Sequence, residues 1–245
     1  MILAVDIGNT NISNGVFKGS SLKSKFNIPS HGKGFDKKYR KSLSCYKGKI
    51  EKVILVSVVP KITPKVVKAL KSILKVKVYI VGKNIDSGVK NCYRKPKQVG
   101  QDRLVNARAS FDLYGGESIV VDFGTAITID TVNRKKEYLG GIIAPGLELS
   151  LQALSERAAL LPKLTLARPK DILGRETRES MISGAVYGIS SLCDGVISKL
   201  KKKYVKKAKV VATGGLSKFI APYCKSIDKV DALLTLKGLQ LIDEE

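Results

Sequence analysis

The feature that most constrains this chain is a strand-and-turn pattern that occurs twice. The first copy is Ile2-Leu-Ala-Val-Asp6-Ile-Gly8-Asn9-Thr10-Asn11, and the second is Ile119-Val-Val-Asp122-Phe-Gly124-Thr125-Ala126. Both contain an apolar run, an aspartate, one further residue and a glycine. Such an apolar run predicts a buried strand, and the glycine lets backbone N–H groups approach an anion closely. Each copy is therefore predicted to end a buried strand in a phosphate-binding turn.

The alternative for either copy alone is a strand followed by an ordinary Asp-Gly turn. The repetition argues against that alternative, because a repeated pattern indicates a repeated structural unit. Each copy leads into another β-rich segment, residues 12–17 after the first and 127–132 after the second. We therefore predict two domains, residues 1–115 and 116–245, with a nucleotide held between them.

Strand and helix patterns alternate along the rest of the chain, which predicts an α/β protein. The hairpin that precedes the parallel strands predicts a mixed sheet. Thr63 and Thr177 are predicted helix caps, and a last helix is predicted over residues 233–242. The predicted strands cover residues 22–28, 53–59, 77–81, 138–144 and 210–215, and the other predicted helices cover 35–46, 63–74, 102–114, 147–158 and 177–204.

The composition is that of a folded, water-soluble protein. With 44% hydrophobic and 27% charged residues, the chain can bury a sizeable core. No apolar run approaches the roughly 18–20 residues of a membrane span, and the N-terminus lacks the features of a secretion signal. We therefore expect a cytoplasmic protein without a membrane partner.

The cysteines and the single histidine do not have the spacing of a metal site. Cys45, Cys92, Cys193 and Cys224 lie far apart, and His31 lies in a turn-like stretch. Because the chain lacks a secretion signal, we predict reduced and mostly buried cysteines. We predict His31 to be a surface loop residue.

The formal net charge of +23 is high enough to attract polyanions such as nucleic acid. The lysines are nevertheless spread along the chain. Their densest cluster, residues 199–207, ends a predicted helix, where cations also suit the helix dipole. The sequence has no tryptophan and no zinc-finger or aromatic-rich RNA-binding motif. We therefore favour a solvated lysine-rich surface over a nucleic-acid site.

Six short motifs, taken together, make the chain resemble the type III pantothenate kinases. These enzymes belong to the superfamily of acetate and sugar kinases, heat-shock ATPases and actin. The resemblance extends over nearly the whole chain and implies two ribonuclease-H-like domains with mixed sheets and the nucleotide in the cleft between them. The motifs are Asp6-Ile-Gly-Asn-Thr-Asn11, Gly100-Gln-Asp-Arg103, Asp122-Phe-Gly-Thr-Ala126, Gly140-Gly-Ile-Ile-Ala-Pro-Gly146, Thr213-Gly-Gly215 and Leu234-Thr-Leu-Lys-Gly-Leu239.

The resemblance implies ATP-dependent phosphorylation of pantothenate to 4'-phosphopantothenate, the first step of coenzyme A biosynthesis. Asp102 would be the general base that takes the proton of the attacking hydroxyl group. Spacing alone favours a helix cap for Asp102, but its place in Gly100-x-Asp-Arg after a long loop reverses that preference. The implied substrate-binding residues are Tyr93, Gly100, Gln101, Asp102, Arg103 and Thr177. Thr177 follows Glu176, where the family usually has asparagine, and its alternative role is the helix cap.

The same resemblance implies an ATP site with two kinds of cation. Asp122 would bind a monovalent cation, K⁺ or NH₄⁺, and Asp6 would hold Mg²⁺ through water. The alternative for both carboxylates is a cap at a strand end. Residues 213–215 would approach the nucleoside, and the absence of a Walker A run excludes a P-loop kinase. The implied ATP-binding residues are Asp6, Ile7, Gly8, Asn9, Thr10, Asn11, Ile12, Ser13 and Thr125.

Two alternatives to the kinase function stay open at this point. One is an inactive relative that binds nucleotide or DNA and regulates transcription, and the other is a different small-molecule kinase or phosphatase of the superfamily. The resemblance also implies a homodimer. A stripe of apolar and small residues at helical spacing is the predicted interface, unless it packs only on its own sheet. The stripe consists of Met181, Gly184, Ala185, Gly188, Ile189 and Leu192.

Overall fold

The computed structural model of the chain describes residues 1–31 and 34–243. They form two compact units. The first contains Met1–Leu113 and the C-terminal residues from Leu233 onward, and the second contains Tyr114–Ala232. The chain thus crosses between the units twice, and the first crossing lies two residues before the predicted boundary.

The first unit is built on a mixed sheet. Its strands are β1 (Ile2–Ile7), β2 (Asn11–Lys18), β3 (Ser21–Pro29), β4 (Lys52–Ser57) and β5 (Lys77–Ile80). The spatial order is β3-β2-β1-β4-β5, with β1, β2 and β3 antiparallel and β4 and β5 parallel to β1. The long connection after β5 contains only the two-residue strand β6 (Lys90–Asn91) and a short turn at Pro96–Gln98. The helices are α1 (Phe35–Leu43), α2 (Thr63–Leu74) and α3 (Gln101–Tyr114).

The second unit repeats this plan. Its strands are β7 (Ser118–Phe123), β8 (Ala126–Val132), β9 (Glu137–Pro145), β10 (Lys209–Thr213) and β11 (Lys229–Val230). Within the unit their order is β11-β10-β7-β8-β9. The helices are α4 (Leu147–Arg157), α5 (Thr177–Ser183), α6 (Ile189–Lys203) and α7 (Ser217–Ile220). Neither α7 nor β11 was predicted, because elements of four and two residues are too short to show a period.

The two sheets have the same topology, so β7, β8, β9, β10 and β11 correspond to β1, β2, β3, β4 and β5. In both sheets the aspartate of the repeated pattern is the second-last residue of the central strand. Asp6 lies opposite Ser13 of β2, and Asp122 lies opposite Thr128 of β8. The prediction of an α/β fold with two mixed, ribonuclease-H-like sheets is confirmed.

Side chains along the central strands alternate between the two faces of each sheet, and both faces are largely buried. Leu3, Val5 and Ile7 of β1 pack with the buried side chains of α1 and α2. In the second unit the corresponding face packs against the segment that contains α6. That core includes Ile119, Val121, Phe123, Ile127, Ile129, Val186, Ile189, Cys193 and Ile197.

The C-terminal helix α8 (Leu234–Ile242) belongs to the first unit and not, as predicted, to the second domain. Leu236 and Leu239 pack on the second face of the first sheet, together with Ala4, Val56 and Val105 of α3. The apolar spacing predicted the helix correctly. It could not predict which of two similar sheets the helix covers.

The predicted helix over residues 177–204 is interrupted. Between α5 and α6, the segment Gly184–Gly188 forms a turn of π-helix, which inserts one extra residue into the turn. By length and composition, Thr177–Lys203 is the one helical stretch in the described part of the chain that could cross a membrane. Half of its most apolar window is buried inside the protein, and one such helix is weak evidence for a membrane span.

Two predicted caps and part of the cysteine prediction were wrong. The residues that cap α2 and α5 are Ile62 and Glu176, and neither helix has a side-chain capping hydrogen bond. Thr63 instead donates its hydroxyl to the carbonyl of Val59 at 2.8 Å.

Cys45 and Cys92 are exposed, whereas burial raises the pKa of Cys193 and of Cys224 to about 12. All four thiols are free, and His31 is exposed as predicted.

Gly238 of α8 provides a test of the packing between α8 and α3. A Cβ atom at this position would lie 2.6 Å from the carbonyl oxygen of Val105 and 3.2 Å from the Cβ of Ala109. Gly238→Ala should force the helices apart and lower the free energy of unfolding by about 1–3 kcal/mol.

The matched control for this prediction is Gly195→Ala in α6. Nothing lies within 4 Å of a Cβ atom built there. Because alanine favours a helix over glycine by up to about 1 kcal/mol, this change should leave stability unchanged or raise it. Chemical denaturation measures both variants, and equal losses of stability would contradict the packing described for α8.

Candidate functional site

The predicted phosphate-binding turn of the first unit connects β1 to β2. The backbone N–H of Gly8 donates to the carbonyl of Asn11 at 3.0 Å, which closes the turn. A Cβ atom on Gly8 would lie 3.2 Å from that same carbonyl oxygen, so a side chain here would crowd the turn. Asn9, Thr10 and Asn11 are exposed, whereas Ile7 and Ile12 on either side are buried. The turn therefore offers its backbone and short polar side chains to solvent, as an anion site requires.

Three segments of the first unit meet beside this turn. The N–H of Val58, which follows β4, donates to the carbonyl of Ile7 at 3.1 Å. The Val58 side chain also lies 3.7 Å from where a Cβ atom of Gly100 would be. The fold thus brings the ends of β1 and β4 and the start of α3 to one edge of the sheet.

Asp102 lies at this edge, in the first turn of α3. Its Oδ1 atom accepts a hydrogen bond from the backbone N–H of Arg103 at 2.9 Å. The carboxylate folds over Gly100, where any side chain would collide with Oδ1. The N-terminus of a helix stabilises negative charge, so this position suits an ionised carboxylate. Asp102 therefore accepts from a first-turn N–H of its own helix, as the capping alternative requires, and it also lies near the predicted phosphate-binding turn.

The other predicted substrate residues of the first unit differ in exposure. Tyr93 is half-buried, and its backbone N–H donates to Oδ1 of Asn91 at 3.0 Å. Arg103 is nearly buried, at 7% exposure. The side chain of Gln101 packs against Gly82. It also lines a cleft of about 530 Å³ whose other walls are Gly82, Asp86, Ser87, Gly88, Val89, Lys90, Asn91, Pro96, Lys97 and Leu104.

In the second unit, the ends of β7 and β10 meet at Asp122. Gly214, directly after β10, has φ +90°, and a Cβ atom there would overlap Oδ1 of Asp122 and the backbone of Phe123. The N–H of Leu216 donates to the carbonyl of Phe123 at 3.1 Å. Glycine is therefore required at position 214, where the chain passes close to the aspartate, whereas a Cβ atom on Gly215 would have nothing within 4 Å.

The start of α4 reaches the same edge. The N–H of Gly146 donates to the carbonyl of Thr125 at 3.0 Å, and a Cβ atom on Gly146 would collide with the carbonyl oxygens of Gly124 and Thr125. Thr125 itself is exposed. Asp122, Thr125, Gly146 and Gly214 are thus gathered at one edge of the second sheet.

Thr177 lies in a different setting, at the exposed first position of α5. The preceding loop is fastened to the helix by Glu179, which accepts hydrogen bonds from Nζ of Lys170 at 2.9 Å and from the N–H of Arg175 at 3.2 Å. The hydrogen bond from Lys170 is the main cause that lowers the pKa of Glu179. Thr177 lines an open cleft of about 670 Å³ together with Leu154, Leu161, Gly174, Arg175, Glu176, Ser180 and Met181.

The carboxylates do not form a metal cage. No group of three or more His, Cys, Asp or Glu side chains that could hold a metal ion occurs within residues 1–31 and 34–243. Mg²⁺ typically keeps several waters and binds proteins through one or two carboxylates plus substrate phosphates. The single carboxylates of Asp6 and Asp122, each beside an exposed turn, therefore fit ions that bind together with a nucleotide.

Sequence reasoning missed one residue that contacts the first turn. Ser30 follows β3 and is 3% exposed. Its hydroxyl donates to the carbonyl of Gly8 at 2.6 Å, and its N–H donates to the carbonyl of Thr10 at 2.9 Å. The signal that could have revealed it is the repeat, because Ser30 and Gly146 each follow the proline that ends a corresponding strand, β3 or β9.

Solved structures with similar folds cover nearly all of the chain. They include a Baf-family protein from Campylobacter jejuni (TM-score 0.62, 21% identity, 99% of this chain and 97% of that chain). The ethanolamine utilization protein EutJ from Carboxydothermus hydrogenoformans has a TM-score of 0.56 at 16% identity, over 98% of this chain and 89% of that chain. The ROK hexokinase from Thermus thermophilus has a TM-score of 0.52 at 16% identity, over 98% and 97%. At these identities the likeness concerns the fold alone.

Sequence comparisons identify the family. The family model described as type III pantothenate kinase matches residues 2–199. The type III pantothenate kinase of Moorella thermoacetica is 40% identical over 251 residues, which cover 100% of this chain and 99% of that protein. The enzyme of the same name from Geobacillus sp. is 42% identical over 252 residues, with 100% and 98% coverage. The chain belongs to the type III pantothenate kinase family.

Proposed function

We propose that this protein transfers the γ-phosphoryl group of ATP to the primary hydroxyl of pantothenate, with Asp102 as the general base. Family membership over the whole chain supports the reaction. The observation that carries the role of Asp102 is its position at the start of α3, beside the ends of β1 and β4 and the turn 8–10. A carboxylate held there is next to a site that suits phosphate.

In the proposed reaction the hydroxyl oxygen of pantothenate attacks the γ-phosphorus, and the bond to the bridging oxygen of ADP breaks. Asp102 orients the hydroxyl and accepts its proton. Because the transition state of phosphoryl transfer is loose, the proton leaves late, and positioning contributes as much as basicity. The hydrogen bond from the N–H of Arg103 fixes one oxygen of Asp102, which keeps the carboxylate in place for this task.

The remaining assignments are those that the family resemblance implies for ATP, its cations and pantothenate. Residues 6–13 and Thr125 bind the ATP phosphates, with Mg²⁺ at Asp6 and a monovalent cation at Asp122. These ions would supply positive charge that offsets the charge of the phosphates. The substrate-binding residues are Tyr93, Gly100, Gln101, Arg103 and Thr177, of which Arg103 has the planar guanidinium group that suits a carboxylate. The enzyme acts in the cytoplasm.

A regulatory protein that binds DNA is the alternative suggested by the net charge of +23. The densest lysine cluster, residues 199–207, precedes β10, whereas Thr213 and Asp122 lie at the other end of that strand and its neighbour. The cluster is therefore separate from the edge where phosphate is proposed to bind. A coupled assay of ADP release with pantothenate, run beside a DNA-shift assay at physiological salt, distinguishes the two functions. Turnover with only weak, salt-sensitive DNA binding supports the kinase.

We also propose a homodimer, with a revised interface. Met181, Ala185 and Ile189 of the predicted stripe are buried in the second unit. Gly184 and Gly188 are exposed, and a Cβ atom added to either would have nothing within 4 Å, while Leu192 is 41% exposed. The three exposed residues lie on one side of the helix at spacings of four, so this side can accept another helix closely.

The first prediction tests the base. Asp102→Asn keeps the size of the side chain but removes its basicity, so turnover should fall by about 10²–10⁴-fold while pantothenate binding is retained. Asp36→Asn is the matched control, since it removes the same charge from the first turn of α1. Steady-state kinetics and calorimetric binding measure the two variants. Turnover of Asp102→Asn within a few-fold of the wild type would remove Asp102 from the role of base.

The second prediction concerns the monovalent cation. If Asp122 binds K⁺ beside the phosphates, activity should drop in a buffer that contains only Na⁺ and return when K⁺ or NH₄⁺, which are similar in size, is added. Asp122→Ala should abolish this response. Initial rates across a cation series provide the measurement, and a wild-type enzyme that is indifferent to the cation contradicts the assignment.

The third prediction concerns the dimer. In a symmetric dimer the same residue of both subunits lies in the interface, so Gly188→Arg should place two positive charges there. The mass measured by light scattering should fall from that of a dimer to that of a monomer. Ser72→Arg adds the same charge on the exposed side of α2 and should leave the dimer intact. Ala185→Arg should instead unfold the protein, because Ala185 is only 7% exposed. A wild-type protein that is monomeric at micromolar concentration excludes the dimer.

A further inference from the structure

We infer that Ser30 is a positioning residue that aims the backbone N–H groups of Asn9 and Asn11, at the turn between β1 and β2, at the phosphates of the nucleotide. This inference rests on the proposed function, because it takes that turn as the ATP phosphate site. Ser30 itself contacts the turn from the protein side and has no place in the predicted set of ATP-binding residues.

Two hydrogen bonds attach Ser30 to the turn. Its hydroxyl donates to the carbonyl of Gly8 at 2.6 Å, and its backbone N–H donates to the carbonyl of Thr10 at 2.9 Å. The second bond continues the pairing of β2 with β3, in which Asn11 lies opposite Pro29. With 3% exposure, Ser30 is shielded from water that could replace these bonds. The carbonyls of Gly8 and Thr10 are therefore both directed at one buried residue.

Because the peptide bond is planar, these two hydrogen bonds also fix the directions of the neighbouring backbone N–H groups. In a trans peptide the carbonyl of one residue and the N–H of the next point in opposite directions. Fixing the carbonyls of Gly8 and Thr10 towards Ser30 therefore turns the N–H groups of Asn9 and Asn11 away from Ser30. Residues 9–11 are exposed, so an anion can reach the turn where those two donors lie.

The internal repeat supports a dedicated role for this position. Pro145 of β9 lies opposite Ala126 as Pro29 lies opposite Asn11, and the N–H of the next residue, Gly146, donates to the carbonyl of Thr125. There the carbonyl of Gly124 lies where a Cβ atom of Gly146 would be, which leaves no room for a side chain.

The first turn is one residue longer than the second. Four residues separate Ile7 from its partner Ile12, whereas three separate Phe123 from Ile127. In the first unit the hydroxyl of Ser30 reaches the carbonyl of Gly8. In the second unit Gly146, which corresponds to Ser30, packs directly against the carbonyl of Gly124.

The test compares the affinity for nucleotide with the affinity for pantothenate. Ser30→Ala removes the bond to Gly8 but keeps the backbone bond to Thr10, so only one of the two donors loses its orientation. We expect the KM for ATP, and the Kd of a non-hydrolysable ATP analogue, to rise by about 5- to 30-fold, as for one lost buried hydrogen bond. The KM for pantothenate should change by less than about twofold, because that ligand does not use the turn.

Two controls separate orientation of the turn from a general loss of stability. Ser190→Ala removes a comparable bond, since Ser190 is 1% exposed and its hydroxyl donates to the carbonyl of Tyr187 at 3.0 Å, far along the chain in α6. It should lower the melting temperature without changing the KM for ATP. At position 30, Thr and Val have the same shape and differ in the hydroxyl, so Ser30→Thr should bind nucleotide more tightly than Ser30→Val even if Ser30→Ala unfolds.

The outcomes also separate this inference from the proposed function. An unchanged KM for ATP in Ser30→Ala, equal affinities of the Thr and Val variants, or an equal rise in both KM values would each overturn the role of Ser30. A wild-type protein that binds the ATP analogue but does not phosphorylate pantothenate would overturn the proposed function. The comparison of Kd values for the analogue would then still decide the role of Ser30.

Discussion

The structure depends on one interaction that is made twice, the antiparallel pairing of a central strand with the strand that follows it. Ile7 pairs with Ile12 and Phe123 pairs with Ile127, so each chain reversal must be completed within three or four residues. A reversal that short, at the end of a buried strand, brings the backbone itself to the surface. Asp6 and Asp122 lie next to these reversals, as the second-last residues of their strands. A charged side chain there can still reach solvent or a ligand.

The parallel neighbour of each central strand brings further residues to this edge. β4 and β10 run in the same direction as β1 and β7, so their carboxyl ends arrive at the same edge, and the segments that follow them pack against the turn. In the first unit this places Asp102 of α3 beside Val58, and in the second it places Gly214 against Asp122. Val58 and Gly214 thus follow corresponding strands, β4 and β10, whereas Asp102 is supplied by α3, which follows β5.

The sequence predicted the strands, the turns and most helices well, because those features depend on local spacing. It predicted α2 with its observed bounds, Thr63–Leu74, since proline in the first turn and the apolar period define it. Spacing does not say which surface an apolar residue meets. For that reason α8 was assigned to the wrong unit. The predicted stripe over residues 181–192 proved to be partly buried, as at Ala185, and partly exposed, as at Gly188. The roles of the candidate site residues stay predictions, since roles require a ligand and spacing supplies only positions.

Ser30 shows a kind of residue that motif reading overlooks, because it acts through backbone carbonyls and belongs to no motif of its own. Its counterpart Gly146 lies within a glycine-rich motif and was noticed, although both residues follow a strand-ending proline. The difference has a physical cause. In the second unit the carbonyl of Gly124 lies so close to residue 146 that this residue can have no side chain. In the first unit the turn is one residue longer, and the hydroxyl of Ser30 spans the gap to the carbonyl of Gly8. A duplicated fold can therefore keep the restraint on its turns while the residue that applies it changes, and aligning the two halves by strand register reveals the substitution.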